Sequence, residues 1–177
     1  MSFHFVRTQV TIGLASAPWP EADALLLPTN DYLWMAAGSA LDLRKKAGAA
    51  AETEAVRLGP LSLGEVVAAP AGDLPLAAIV HMAVAGQDLV FDPAAAARAM
   101  RAALDLAASK PWRSILVHSF LGAGKGARPQ DLAPILETLV GRLLDEAPFA
   151  KVHLLARDES EQKSLHDILY RIIRQQG

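Results

Sequence analysis

Ser119-Phe120-Leu121-Gly122-Ala123-Gly124-Lys125-Gly126 is the stretch on which the interpretation of this chain turns. It follows an apolar run, Ser114 to His118, that has the character of a buried strand, and it leads into Pro129 to Leu144, whose apolar residues recur at helical spacing. Strand, glycine loop and helix therefore stand in a row. Glycines at 122, 124 and 126 let the backbone take left-handed angles and bring its N–H groups close to a ligand, and a helix start adds orphan donors and a positive dipole end. Such a loop suits phosphate. The same spacing also serves tight packing alone, so the loop needs support from the rest of the chain.

Two standard phosphate motifs fit poorly. In G-x-x-x-x-G-K-[ST] the residue after lysine is a hydroxyl that holds magnesium, whereas Gly126 follows Lys125 here. Gly122-Ala123-Gly124-Lys125-Gly126-Ala127 matches G-x-G-x-x-[GA], but that dinucleotide fingerprint opens its domain, and here it comes about two thirds of the way along.

Working outward, strands and helices alternate. Phe3 to Leu14 reads as an edge strand or hairpin; Asp23 to Asn30 is an almost continuous apolar run, a strand buried on both faces and closed by Pro28. Ser39 with Asp42 resembles a capping box opening a helix from Ala40 to about Leu58, bent at Gly48. Gly64 to Ala69 and Leu76 to Val84 are further strands. Asp92-Pro93 starts a helix reaching about Ser109, Lys151 to Ala156 is another strand, and Glu159 to Gln175 a closing amphipathic helix. This order predicts an α/β domain spanning residues 1–177, with a mixed, largely parallel sheet between two helical layers. Ligands of such sheets bind at the carboxyl ends of the strands, where Asn30, the glycine loop and Arg157-Asp158 fall.

Composition narrows the function. Of 177 residues 52% are hydrophobic and 20% charged, with a formal net charge of −2, so no broad basic face for nucleic acid is expected. There is no cysteine, hence no disulfide or thiolate chemistry. His81 and His118 lie in apolar strands as core histidines, and the five histidines show no metal-ligand spacing. No apolar run approaches a membrane span, and Met1 to Phe5 lacks the pattern of a secretory signal, which makes the cytoplasm the expected location. The partner should be small, with no metal or cofactor; the oligomeric state is left open.

The order of pieces resembles the macro domain, a family of ADP-ribose-binding modules. Ala22-Asp23-Ala24-Leu25-Leu26-Leu27-Pro28-Thr29-Asn30 looks like its V-D-A-I-V-N-A-A-N, Ala47-Gly48 like its A-A-G, and Gly64-Glu65-Val66 like its T-G-E-A. Ile79-Val80-His81 is similar to its V-I-H, and Ser114-Ile115 through Gly126 to its S-I…G-T-G-x-G-G. The resemblance implies a three-layer αβα fold with about six strands and ADP-ribose lying across their ends. By analogy Asp23, beside Ala24, accepts from the adenine amino group, and Asn30 bonds the distal ribose. Main-chain N–H groups of Gly122, Ala123, Gly124, Lys125 and Gly126, after Ser119, hold the diphosphate from one side, and Met35, Ala36, Ala37 and Gly38 hold it from the other. From its position Arg157 is placed to lay its guanidinium on the adenine. Tyr32, Trp34 and Met35 either wall the ligand or pack.

The family's hydrolases carry an acid where this chain has Ala40, and Leu27 replaces their first asparagine. A methyl group moves no proton. Asp42, about 200° further round the helix, should point away from the site, which leaves Asn30 and Asp31 as catalytic candidates. The expected function is therefore recognition of ADP-ribose, a related adenine nucleotide or an ADP-ribosylated target, without the usual hydrolytic acid. The alternatives are a hydrolase of ADP-ribose conjugates using substrate-assisted attack by water, and a dinucleotide enzyme using the glycine loop, with Asp158 as a late ribose acid.

Overall fold

The structure, a computed structural model, describes residues 2–176. The first segment is a hairpin, β1 (Ser2–Phe5) and β2 (Thr8–Leu14), turning at the exposed Val6. β3 (Ala24–Asn30) then leads to α1 (Gly38–Ala47) and α2 (Ala49–Val56). β4 (Val66–Ala69) and β5 (Ala78–Ala85) follow, then α3 (Pro93–Ala108), β6 (Ser114–His118), α4 (Leu132–Asp145), β7 (Lys151–Ala156) and α5 (Glu159–Gln176).

These strands form one sheet of seven in the order β1-β2-β7-β6-β3-β5-β4. The four inner pairings are parallel; β1 with β2 and β4 with β5, at the two edges, are antiparallel. The sheet is mixed and largely parallel as expected, with seven strands where about six were expected, because the first segment folds back on itself.

Alternation along β3 explains the layers. Leu25 and Leu27 pack in one core with Leu43 and Ala47 of α1, while Leu26 points to the other face with Met100 of α3, Leu139 of α4 and Leu169 of α5. Alanines 95, 96, 99, 103 and 107 of α3 are fully buried, so that helix lies close on the sheet. Its start is as the sequence predicts: Asp92 accepts from Ala95 N at 2.9 Å, with Pro93 in the first turn.

Two local expectations are corrected. Pro28 does not end β3, which continues to Asn30; the ladder to β6 stops at Leu26–Val117, so the proline without an N–H falls where β3 keeps one neighbour only. Helix 40–58 is two helices, broken at Gly48 with φ 82°.

The topology also makes the cleft. The chain leaves β3 towards α1 on one face, while it leaves the adjacent β6 towards α4 on the other. Neighbouring strands whose connections diverge open a crevice at their carboxyl ends. Among the described residues no helix is long and apolar enough to cross a membrane.

Candidate functional site

A cavity of about 660 Å³ occupies this crevice. Its walls are Thr29, Asn30 and Trp34 at the end of β3, Ala36 to Asp42 at the start of α1, and Leu121 to Lys125 of the glycine loop; Gln87, Leu89 and Arg157 close the sides. Most of the expected residues are therefore together: Asn30, Ala36, Ala37, Gly38, Gly122, Ala123, Gly124, Lys125 and Arg157.

The start of α1 is open to the cavity. Its N-cap is Ala37, with no side-chain cap and no acidic residue in the first turn. Of its leading amides, Ser39 N donates to Gly122 O at 3.3 Å and Leu41 N to Ala37 O at 3.3 Å, while those of Gly38 and Ala40 have no acceptor among the described residues. Two unspent donors and the positive end of a helix dipole face one space. The expected capping box of Ser39 and Asp42 does not form. Ser39 is buried beneath Gly122, where any Cβ on that glycine would strike its hydroxyl, and the exposed Asp42 pairs with Lys45 at 3.2 Å. Asp42 nonetheless lines the rim of the cavity, contrary to the helical-wheel argument, and is its one carboxylate among the described residues.

The glycine loop holds fewer free donors than expected. Gly122 N is 3.2 Å from Ser119 Oγ, Ala123 N donates to Phe120 O at 3.1 Å, and Lys125 N donates to Leu89 O at 2.6 Å. The amides of Gly124 and Gly126 have no acceptor among the described residues, and of these two only Gly124 lines the cavity. The residues that take up Lys125 were not anticipated. Segment 86–91 follows β5, whose last residue, Ala85, pairs with Asn30, so this carboxyl end lies at the same edge as the others.

Asn30 is 6% exposed, and its amide is largely committed: Oδ1 accepts from Tyr32 N and Trp34 N, each at 3.1 Å, and Nδ2 donates to Trp34 O at 2.8 Å. Its first task is to clamp the turn after β3, which presents Trp34 to the cavity with Tyr32 stacked at 5.0 Å. One Nδ2 hydrogen remains. Asp31 is not in the wall. Met35 is fully buried in the core, its N–H held by Glu52 at 2.6 Å, so it packs rather than walls the ligand. Ser119 is also buried, with its hydroxyl on Glu161.

Asp23 and Ala24 stand at the opposite end of β3 and cannot share this site with Asn30. A strand advances about 3.3 Å per residue, so seven residues separate Asp23 from Asn30 by about 20 Å. Asp23 Oδ2 accepts from Arg113 N and Ser114 N at 2.8 Å each and from Ser114 Oγ at 3.0 Å. Burial pushes its carboxyl up, but these hydrogen bonds outweigh it and leave the group below the usual carboxylate value. Asp23→Ala should lower stability by roughly 1–3 kcal/mol in denaturant unfolding and leave nucleotide affinity unchanged. A selective loss of affinity would return Asp23 to the ligand.

Arg157 is half-exposed, Nε on Asp158 at 3.0 Å and Nη1 on Leu121 O at 3.2 Å, so one residue joins the end of β7 to the glycine loop. No group of three metal-ligating side chains occurs among the described residues.

Sequence and structure comparisons give the family and the fold. Residues 27–135 match the family model described as Macro domain, which covers both cleft-forming loops. The chain belongs to the macro domain family. An uncharacterized protein of Aquifex aeolicus is 26% identical over 150 residues, covering 84% of this chain and 90% of that one. The Oceanobacillus iheyensis macrodomain with ADP superposes with a TM-score of 0.86 at 18% identity, over 99% of this chain and 97% of that chain. The Trypanosoma brucei macrodomain in complex with ADP-ribose gives 0.76 at 17%, over 92% and 69%. The macro fold of this chain thus survives where few side chains are shared.

Proposed function

We propose that this macro domain binds ADP-ribose or a related adenine nucleotide across the cleft, and that it recognises the ligand without hydrolysing it. The observation that carries the proposal is the convergence of unspent main-chain donors, Gly38 and Ala40 at the α1 start and Gly124 opposite, on one open cavity flanked by Lys125 and Arg157. A diphosphate supplies the two adjacent anions such donors suit. Arg157 offers a guanidinium plane to the purine, Gln87 and Asp42 offer acceptors to its edge, and Trp34 gives a flat face at the other wall. Structures of two relatives that hold ADP and ADP-ribose support the choice of ligand. An ADP-ribosylated protein carries the same group, so such a target is the natural partner.

Isothermal titration with ADP-ribose should give a saturable 1:1 isotherm, and the ligand should raise Tm with concentration. No heat and no shift at millimolar ligand would overturn the proposal.

Ala40 in the cavity wall supports the second half, since it has no group to hold a proton. Asp42 on the rim favours the competing hydrolase reading. Release of ADP-ribose from an automodified protein substrate should be undetectable; release abolished by Asp42→Ala would make this domain a hydrolase.

A further inference from the structure

Glu161 is a buried charged side chain outside the cleft wall. It sits in the first turn of α5 and is 2% exposed, in a small apolar cavity with Phe120, Leu132, Leu136 and Leu165. A buried carboxylate is costly unless hydrogen bonds compensate it. Its hydrogen bonds show where the charge is used.

Both oxygens accept from the Ser119 hydroxyl, at 2.8 and 2.7 Å, and Oε2 also accepts from Arg157 N at 2.7 Å. Ser119 Oγ in turn receives Gly122 N at 3.2 Å, so the carboxylate reaches the glycine loop through one hydroxyl. A second connection runs outside it. Glu161 N donates to Asp158 Oδ1 at 2.8 Å, Asp158 Oδ2 takes Arg157 Nε at 3.0 Å, and Arg157 Nη1 donates to Leu121 O at 3.2 Å. The chain of contacts closes on itself, from Gly122 through Ser119, Glu161 and Arg157 back to Leu121.

We propose that Glu161 is the positioning residue of the cleft: its carboxylate locks the glycine loop and the Arg157 guanidinium into one arrangement, so that a diphosphate meets both already in place. The proposal rests on the diphosphate reading of the cleft. The chemistry explains why the residue is acidic. Donors from Ser119 and Arg157 converge on it, and a carboxylate accepts both; a protonated carboxyl or an amide keeps one carbonyl oxygen for Arg157 N and makes Ser119 Oγ an acceptor, which then competes with Gly122 N for that oxygen.

The charged and titratable groups around it are few. Arg157 comes from the end of β7, Asp158 from the entry to α5 and His118 from the end of β6; α3 and α4 present only apolar side chains to the cavity. Burial raises the Glu161 carboxyl above its ordinary value, against the pull of its hydrogen bonds and of Arg157, whereas His118 is pushed down to about 4 and stays neutral in the same range. As the pH falls Glu161 therefore gains its proton before an ordinary carboxylate would, and affinity for the permanently ionised diphosphate should fall with it.

The experiment uses the full chain and the variants Glu161→Gln and Ser119→Ala, with amide hydrogen exchange on the free protein and ADP-ribose titrations between pH 5 and 8. Glu161→Gln should speed exchange at Gly122 and Arg157 about tenfold while α3 stays protected, and should weaken ADP-ribose about tenfold. Its affinity should vary less with acid pH than that of the unaltered protein and lie nearer the latter's acid value. Ser119→Ala, a smaller change should the first variant misfold, should speed exchange at Gly122 but leave Arg157 N protected by Glu161. Exchange unchanged in both variants, or accelerated evenly through α3, overturns the proposal. If the unaltered protein binds no ADP-ribose, the function proposed above fails, and the exchange results still decide the role of Glu161.

Discussion

Acidification from pH 7 to pH 5 should lower the folding stability of this domain by about 4 kcal/mol, with two buried histidines responsible. His81 is fully buried with both ring nitrogens unpartnered, and burial alone pushes its pKa down to about 4. His118 is depressed to about 4 by burial and then by Lys46, with Asp42 opposing. In the unfolded chain each titrates near 6.5. Above that value both states are neutral and stability is flat. Below it the unfolded chain binds protons that the folded chain refuses, so stability falls until the folded values are reached near pH 4. Each histidine contributes about 2 kcal/mol by pH 5. His153, also depressed by burial and then by Lys151, adds in the same sense; Glu161, raised by burial, partly offsets them by gaining its proton earlier in the fold. Urea unfolding at stepped pH measures the slope directly, and His118→Gln should remove about half of the histidine part. A flat profile between pH 7 and 5 would mean that both rings find water or a partner.

Gly38→Ala should both destabilise the domain and cripple ligand binding. Gly38 has φ 54°, and a Cβ there would overlap Gly122 O, the atom that also accepts from Ser39 N. A left-handed alanine alone costs roughly 1–2 kcal/mol, and here the overlap is with backbone, which gives way only if the two loops part. Parting them moves the α1 amides from Gly124, and ADP-ribose affinity should fall at least about tenfold by calorimetry. Gly126→Ala is the control. It too has positive φ, 79°, but a Cβ there meets nothing within 4 Å and the residue lies outside the cavity wall, so stability should drop by only the roughly 1–2 kcal/mol of a left-handed alanine and affinity should hold. Equal affinity for Gly38→Ala and the unaltered protein would show that the loop contact does not shape the site.

Much of the site was legible because it depends on where strands end. Asn30, the 122–125 loop and Arg157 each follow an apolar run, and parallel strands bring such ends to one edge. Asp23 was misplaced although the same rule speaks against it: it precedes the run that Asn30 closes, and an extended chain cannot fold its two ends together. The donors of the glycine loop were overcounted for a different reason. Glycine spacing shows that amides can be exposed, not whether a distant carbonyl reaches them, and Leu89 O lies 36 residues earlier than the Lys125 N it accepts from.

Taken alone, the sequence determined the order of strands and helices, the two-sided burial of β3 and the helix start at Asp92, because these follow from hydrophobic period and from contacts within a few residues. It also located the macro-like cleft at the ends of β3 and β6. Only the tertiary structure decided which groups face that cleft and which are spent. Asp23 ties β3 to the start of β6, Ser39 is buried under Gly122, and Glu161 reaches the glycine loop through Ser119. The physical reason is that a hydrogen bond satisfies a polar group only within about 3 Å, and that proximity between residues 40 to 90 apart is set by strand register and helix packing, which no local pattern records.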